Sequence, residues 1–347
     1  MVVRGFMVLV AALLSGCSAA VVDIAYYWQS ARGQLALMHD ARPIAELLAS
    51  PALDPSLARR LKAAQEIRRF ASESLALPDN GSYTRYADLG RPFVVWNVVA
   101  APELSLRLKR WCFPVAGCVS YRGYFAHEDA KNYAGQLRDE GWEVQVAGVP
   151  AYSTLGWFDD PILSSFIRYP QGELARLIFH ELAHQVAYAR GDSTFNESFA
   201  TALEREGLRR WLAARGDPAL EAAYREFDAR RQQFLDLLRR ARARLEAIYD
   251  SEMPDEAKRA AKAKEFSALR EEYAALKAGW GGFAGYDRWF ANGVSNAHLG
   301  AVATYNELVP GFERLLERHG GNLPAFYQAV RELARADRRE RDRVLRE

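Results

Sequence analysis

Three residues in one short run have the types and spacing to hold a metal ion and activate a water: His180, Glu181 and His184, in the pattern H-E-x-x-H. The residues before them, Glu173 to Phe179, are good helix formers and mostly apolar, so the spacing predicts a buried helix. Residues four apart on a helix lie one turn apart on the same face, so both imidazoles can reach one ion from one rigid element. Glu181 is turned about 100° from His180 and can act on a water instead of binding the ion. Zinc takes neutral nitrogen or carboxylate ligands, and a catalytic site keeps one position for water. The ion lowers the pKa of that water to about 7 and polarises a carbonyl. A carboxylate beside it takes the proton and delivers it to a leaving amine. With six His in the chain, the pattern arises by chance in only about one in a hundred chains of this composition. The competing reading is a pair of ordinary histidines on a helix.

Two histidines leave the site short of a third ligand. Gly191 suits the C-terminal cap of the first helix, and Asp192-Ser193-Thr194 are good N-caps for a second, running from Phe195 to about Leu212. Glu197 falls in the first turn of that helix, thirteen residues after His184, where a short connection brings it back towards the ion. Thr194-Phe195-Asn196-Glu197 is also a capping box, in which Glu197 would bond the backbone instead. Glu204, two turns on, faces the same side. It is either a substitute ligand or a group that orients one histidine from behind.

These residues carry a resemblance. H-E-L-A-H-Q followed by N-E-S-F-A resembles the gluzincin group of zinc peptidases, with a shorter spacing between the second His and the Glu than is common there. The resemblance implies His180, His184 and Glu197 as ligands of one zinc ion and Glu181 as the base. More narrowly, the chain resembles a family of bacterial aminopeptidases predicted to be zinc lipoproteins of Gram-negative bacteria. The matching stretches are L-S-G-C at 14–17, W-C-F-P-V-A-G-C-V-S-Y-R-G-Y-F at 111–125, A-Y-S-T-L-G-W-F-D-D-P at 151–161, the zinc stretch, and S-N-A-H-L-G at 295–300. Peptidases of this kind place a sheet beside the zinc helix, with an edge strand that pairs with an extended substrate. They also place a Tyr or His opposite the zinc to donate to the forming oxyanion. His298 and Tyr305, seven apart, are the candidates for that role.

The elements that must position these groups follow from composition and pattern. The chain has 347 residues, 50% of them hydrophobic, enough for a large core. Its 46 basic and 44 acidic residues are balanced, which points away from nucleic acid as a partner. Residues 24 to about 78 read as helical. Phe93–Ala100, Cys118–Phe125 and Trp142–Val149 read as strands, with a helix from His127 to Glu140. Tyr152-Ser153-Thr154-Leu155-Gly156-Trp157 is the candidate lining of a substrate cleft, where Gly156 would allow close backbone approach. The alternative is an aromatic loop packed on the core. Apolar residues from Tyr224 to Ile248 and from Phe266 to Trp280 recur at helical spacings around a break at Ser251–Asp255, which predicts a long antiparallel helical hairpin. Its Arg-rich faces read as solvated, or as an arm for a protein partner.

The N-terminus has a positive start, a short apolar run and then Leu14-Ser15-Gly16-Cys17, which reads as a lipoprotein signal with Cys17 as the lipidated residue. Acyl chains there would anchor the protein, on the periplasmic side of the outer membrane. Cys112 and Cys118, six apart, read as a disulfide outside the cytoplasm, with metal binding or redox activity as alternatives. The expected fold is α+β, mainly helical and zincin-like, with a small sheet beside the H-E-x-x-H helix. The expected divisions are a signal at 1–16, a helical segment at 17–78, a catalytic core at 79–215, the hairpin at 216–280 and a C-terminal helical part at 281–347. The expected activity is zinc-dependent peptide hydrolysis, of the aminopeptidase type by resemblance. Asp159, Asp160 and Glu204 are the candidates for holding a substrate amine. The rivals are a zinc endopeptidase acting on envelope proteins and a catalytically weak zinc-binding assembly scaffold.

Overall fold

The computed structural model describes residues 24–347 apart from Val115 and Asn292. The expected signal peptide and the lipidation site Cys17 lie outside the described residues. In chain order the first elements are α1 (24–40), β1 (Arg42–Pro43), α2 (Ile44–Ala49), α3 (Pro55–Glu73), β2 (Arg85–Ala87) and β3 (Val95–Ala101). Then come β4 (Trp111–Phe113), β5 (Gly117–Val119), β6 (Arg122–Tyr124), α4 (His127–Asp139), β7 (Glu143–Val149) and β8 (Ile162–Leu163). The rest is helical: α5 (Gln171–Val186), α6 (Ser193–Arg215), α7 (Pro218–Asp250), α8 (Asp255–Gly279), α9 (Asp287–Phe290), α10 (Asn296–Asn306), α11 (Val309–Arg318), α12 (Leu323–Arg335) and α13 (Arg338–Arg346). The fold is therefore mainly helical with small sheets, as the patterns predict. No described helix is long and apolar enough to cross a membrane.

The main sheet places β3 between β6 and β7, antiparallel to both. Alternate residues of a strand face opposite sides, and β3 uses both. Trp96, Val98 and Ala100 pack against Ala130, Ala134 and Leu137 of α4, while Val99 and Ala101 pack against Ala297 of α10. The expected single strand at Cys118–Phe125 is split into β5 and β6, because β5 pairs back with β4 instead of joining the main sheet. Cys112 and Cys118 face each other in that hairpin and form a disulfide. A second small sheet runs β1-β2-β8.

The largest core joins Ile44 of α2, Leu61 of α3, Phe179 of α5, Phe199 of α6, Phe312 of α11, Phe326 of α12 and Leu345 of α13. The N-terminal helices and the last helices thus share one apolar interior with α5 and α6, which lie at its centre. That position explains why α5 is buried nearly all round: Leu174, Ala175, Ile178, Phe179, Leu182 and Ala183 are all buried, and so are His180, Glu181 and His184. Its contacts with α6 run in opposite directions along the two helices. Glu197 meets His184 at one end, and Gly172 approaches Leu208 at the other. Between them Gly207 permits close approach, since a Cβ there would lie 2.9 Å from atoms of Leu75 and Phe179. The predicted hairpin is formed by α7 and α8, with a separate core of Phe234, Leu237, Leu238 and Leu245 against Phe266, Leu269 and Tyr273.

Candidate metal centre

The turn between α5 and α6 sets the geometry of the site. Gly191 was the expected cap of the first helix, but α5 ends at Val186 and the chain leaves it in extended conformation at Ala187. Asn196, on the next helix, holds that departure by accepting from the Ala189 N–H (2.7 Å) and donating to the Ala189 carbonyl (3.0 Å). Gly191 instead takes a positive φ of 79° later in the turn. Asp192 then caps α6, accepting from the Phe195 N–H at 3.1 Å. Its second oxygen accepts from Arg341 of α13 at 3.0 Å. Because Asp192 makes the cap, Glu197 is not used as a capping-box residue and turns inward.

His180, His184 and Glu197 are all buried, and one ligand atom from each lies within 4.8 Å of the others. Glu197 Oε2 is 3.3 Å from His180 Nε2 and 3.6 Å from His184 Nε2. Two imidazole nitrogens and a carboxylate oxygen thus converge from two helices, a donor set that could hold a metal ion. Glu204 approaches from the far side, with Oε2 3.0 Å from His180 Nδ1. It is therefore the group behind the histidine and not a substitute ligand. It is itself held by Arg176, whose Nη2 donates to Glu204 at 2.7 Å while Nη1 donates to Glu173 at 2.8 Å. Arg231 of α7 adds a second cation at 3.6 Å. His184 has no equivalent support: its Nδ1 is buried and has no hydrogen-bond partner among the described residues.

The electrostatics follow from this packing. Burial alone would lower the His180 pKa, but hydrogen bonds to Glu197 and Glu204 outweigh it and hold it at about 10. Burial raises Glu197 and Glu204, yet the imidazoles on one, and Arg176 with His180 on the other, keep both below the ordinary carboxylate range. Glu181 is raised, by burial first, with His180 and His184 offsetting part of the rise. Tyr305 is pushed well above the ordinary phenol range by the Glu197 carboxylate and by burial, so its hydroxyl stays a donor at neutral pH.

These groups face a cavity of about 980 Å³. His180, Glu181 and His184 line one wall and Glu197, Thr201 and Glu204 another. Val119, Tyr121, Gly123 and Phe125 line a third, each two residues from the last, as an extended segment presents them. Tyr305 of α10 joins them, its ring 6.2 Å from that of His180 and tilted by 25°. His298 does not. It is the third residue of α10, where its Nδ1 accepts from the Ser295 N–H (3.2 Å) and its ring lies against Trp289. Its Nε2 is left to donate, but the ring stands outside the cavity lining, and burial lowers its pKa to about 4.

The cleft segment is brought in only in part. Tyr152 through Leu155 line the cavity, whereas Gly156 and Trp157 do not, and Trp157 is exposed. Gly156, at φ 82°, turns the chain away next to Gln185. None of the expected amine-holding acids stands free in the cavity. Asp160 is buried and accepts from the Thr154 N–H and hydroxyl, Asp159 is exposed beside Gly81 and does not line the cavity, and Glu204 is tied to Arg176 and His180. Sequence reasoning missed Asn196, Arg176, Arg231 and Tyr121. Arg176 had a local signal, since Glu173, Arg176 and His180 fall at i, i+3 and i+7 on one helix face. Tyr121 lies in the stretch at 111–125 that carries the resemblance but had no signal of its own, and Arg231 had none.

No curated protein and no solved structure matches this chain. A family model does, across residues 25–345, and so covers every group of the site. The chain therefore belongs to the family described as "Putative aminopeptidase".

Proposed function

We propose that this protein is a zinc-dependent peptide hydrolase of the cell envelope, anchored through an acylated Cys17. One observation carries the reading: two imidazoles and a carboxylate converge on one point of a peptide-sized cavity, with Glu181 beside them and unclaimed by any ligand role. Two neutral nitrogens and one carboxylate oxygen are the donor set of a catalytic zinc site with one position left for solvent. When bound there, zinc would supply Lewis acidity to the scissile carbonyl and make water more acidic.

The chain's own residues do the rest. Glu181, whose pKa is raised by burial, accepts a proton from the attacking water and passes it to the leaving amine. Tyr305, held protonated, donates a hydrogen bond to the oxygen that gains charge. Glu204 holds His180 in one tautomer and orientation through Nδ1, and Arg176 holds Glu204. The expected consequence is that Glu181→Gln retains stoichiometric zinc but loses about 10³-fold in kcat. Zinc content by elemental analysis and peptide turnover measure the two halves separately. Turnover at the parental rate in that variant refutes the mechanism.

The aminopeptidase type rests on family membership. A second reading, endopeptidase action, is favoured by the lining: among the described residues the only acidic side chains facing the cavity are Glu181, Glu197 and Glu204, all engaged at the centre. Free and N-blocked peptides of equal length distinguish the two. Failure to cleave either leaves the scaffold reading.

A further inference from the structure

The first helix has two faces with different surroundings. Its inner face is fully used by the body of the protein. Gln29 accepts from the Phe125 N–H at 3.0 Å and donates to the Gly123 carbonyl at 3.4 Å, so its amide occupies the outer edge of β6. Tyr26 stacks on Phe113 at 5.5 Å between ring centroids, and Gly33 lies against the Phe125 ring. Tyr26, Ser30 and Gln34 line the cavity.

The outer face is apolar and uncovered by any described residue. Ile24 (68% exposed), Trp28 (70%) and Leu35 (64%) fall four and seven residues apart, on one side of the helix. With Tyr27, which also lines the cavity and meets Phe113 edge-on, they make four of the eight exposed large hydrophobic side chains among the described residues, although α1 holds only 17 of those residues (24–40). Ala25, Ala31 and Ala36 are exposed with them. Residues 24–39 contain no acid and a single arginine, Arg32, which is exposed. A protein surface facing water rarely concentrates Trp, Leu and Ile in this way without a partner.

We propose that the outer face of α1 lies on the surface of a lipid bilayer. A helix whose outer face carries Trp28 among aliphatic side chains, with one arginine and its single acid, Asp40, at the last residue, is suited to the headgroup boundary, where Trp sits with its ring half-buried. Chain connectivity selects this occupant. α1 starts at residue 24, seven positions after Cys17, and seven extended residues reach about 25 Å at most. Acyl chains on Cys17 would therefore hold this face against the same leaflet they enter. In this respect the inference rests on the anchor in the proposed function. It places one wall of the cavity about a helix diameter, roughly 10 Å, from the headgroups.

The test uses the chain starting at Ser18, which keeps every described residue and carries no acyl group. It is sedimented with vesicles of phosphatidylcholine and phosphatidylglycerol, beside a Trp28→Ser/Leu35→Ser variant. The parent chain is expected to co-sediment, and the variant to lose about tenfold or more in partitioning. Zinc content, far-ultraviolet circular dichroism and peptide turnover of the variant should match the parent. A parent that stays in the supernatant, or a variant that partitions equally, overturns the proposal. So does a dimer of the parent that dissociates in the variant without vesicle binding, since a second copy then covers the face. Mass spectrometry of the full chain recovered from membranes reads acylation of Cys17 separately. Failure there removes the anchor and leaves the vesicle result to judge α1.

Discussion

The pairs α5–α6 and α7–α8 are both antiparallel and both rich in charge, yet they place that charge in opposite ways. In α5–α6, His180, Glu181, His184, Glu197 and Glu204 are all buried between the helices. His180, His184, Glu197 and Glu204 have partners of opposite character on the facing helix, Arg231 of α7 adds a third-helix cation, and Glu181 sits beside the two imidazoles of its own helix. In α7–α8 the seam is apolar and the charges lie outside, in pairs three or four apart such as Arg239 with Asp236 and Arg230 with Glu226. Burying a charge costs several kcal/mol unless it is paired. A chain that buries five such groups at one place, while its longest helices keep most of theirs in water, has organised that place around something other than stability. That difference marks the site more clearly than pocket shape does.

The contrast makes four further predictions, beginning with the hairpin. Leu269, fully buried in the seam, should lose about 2–5 kcal/mol of stability on replacement by Ala. Denaturant unfolding reads the loss, and turnover per folded molecule should be unchanged. A fall in turnover at full folding would show that the hairpin takes part in the site. Next comes Asp160, a buried carboxyl behind the cavity loop, which burial raises to about 6 from 3.8. A carboxyl whose folded pKa is raised favours folding least when ionised, so its cost appears as pH rises through 4 to 6 and is complete above that. Asp160→Asn does not ionise and should therefore gain about 2–3 kcal/mol on the parent between pH 4 and pH 7. Equal pH dependence of the two unfolding curves would contradict this.

Glu204→Gln removes the charge behind His180 while keeping the side chain's shape. Zinc affinity should fall about 10- to 100-fold, measured by competition with a chelator. Unchanged affinity would mean that the Arg176–Glu204 chain serves packing alone. The smallest effect belongs to the hairpin surface. Arg239→Ala should change stability by no more than about 0.5 kcal/mol, because an exposed pair in water gains little. A loss several times larger would blur the contrast between the two helix pairs.

Much of this was legible along the chain. H-E-x-x-H puts two imidazoles on one helix face by periodicity alone, and a short turn returns Glu197 to them. The hairpin showed itself because apolar spacing along α7 and α8 is a local signal. The end of α5 was not legible, since Asn196, seven residues on, decides it by gripping Ala189. The choice between Tyr305 and His298 was not legible either. Both fit the spacing, but only Tyr305 lines the cavity, while His298 turns to Ser295 and Trp289.

The sequence by itself pointed to His180, Glu181 and His184 and to the helices that carry them and Glu197, because those relations span a few residues and follow from the helical repeat. Only the tertiary structure decided which groups stand behind them. Arg231 comes from α7, Tyr305 from α10, and one wall of the cavity from α1 at the start of the described chain. No period in the sequence encodes such contacts; they arise where packing around a shared core brings distant surfaces together.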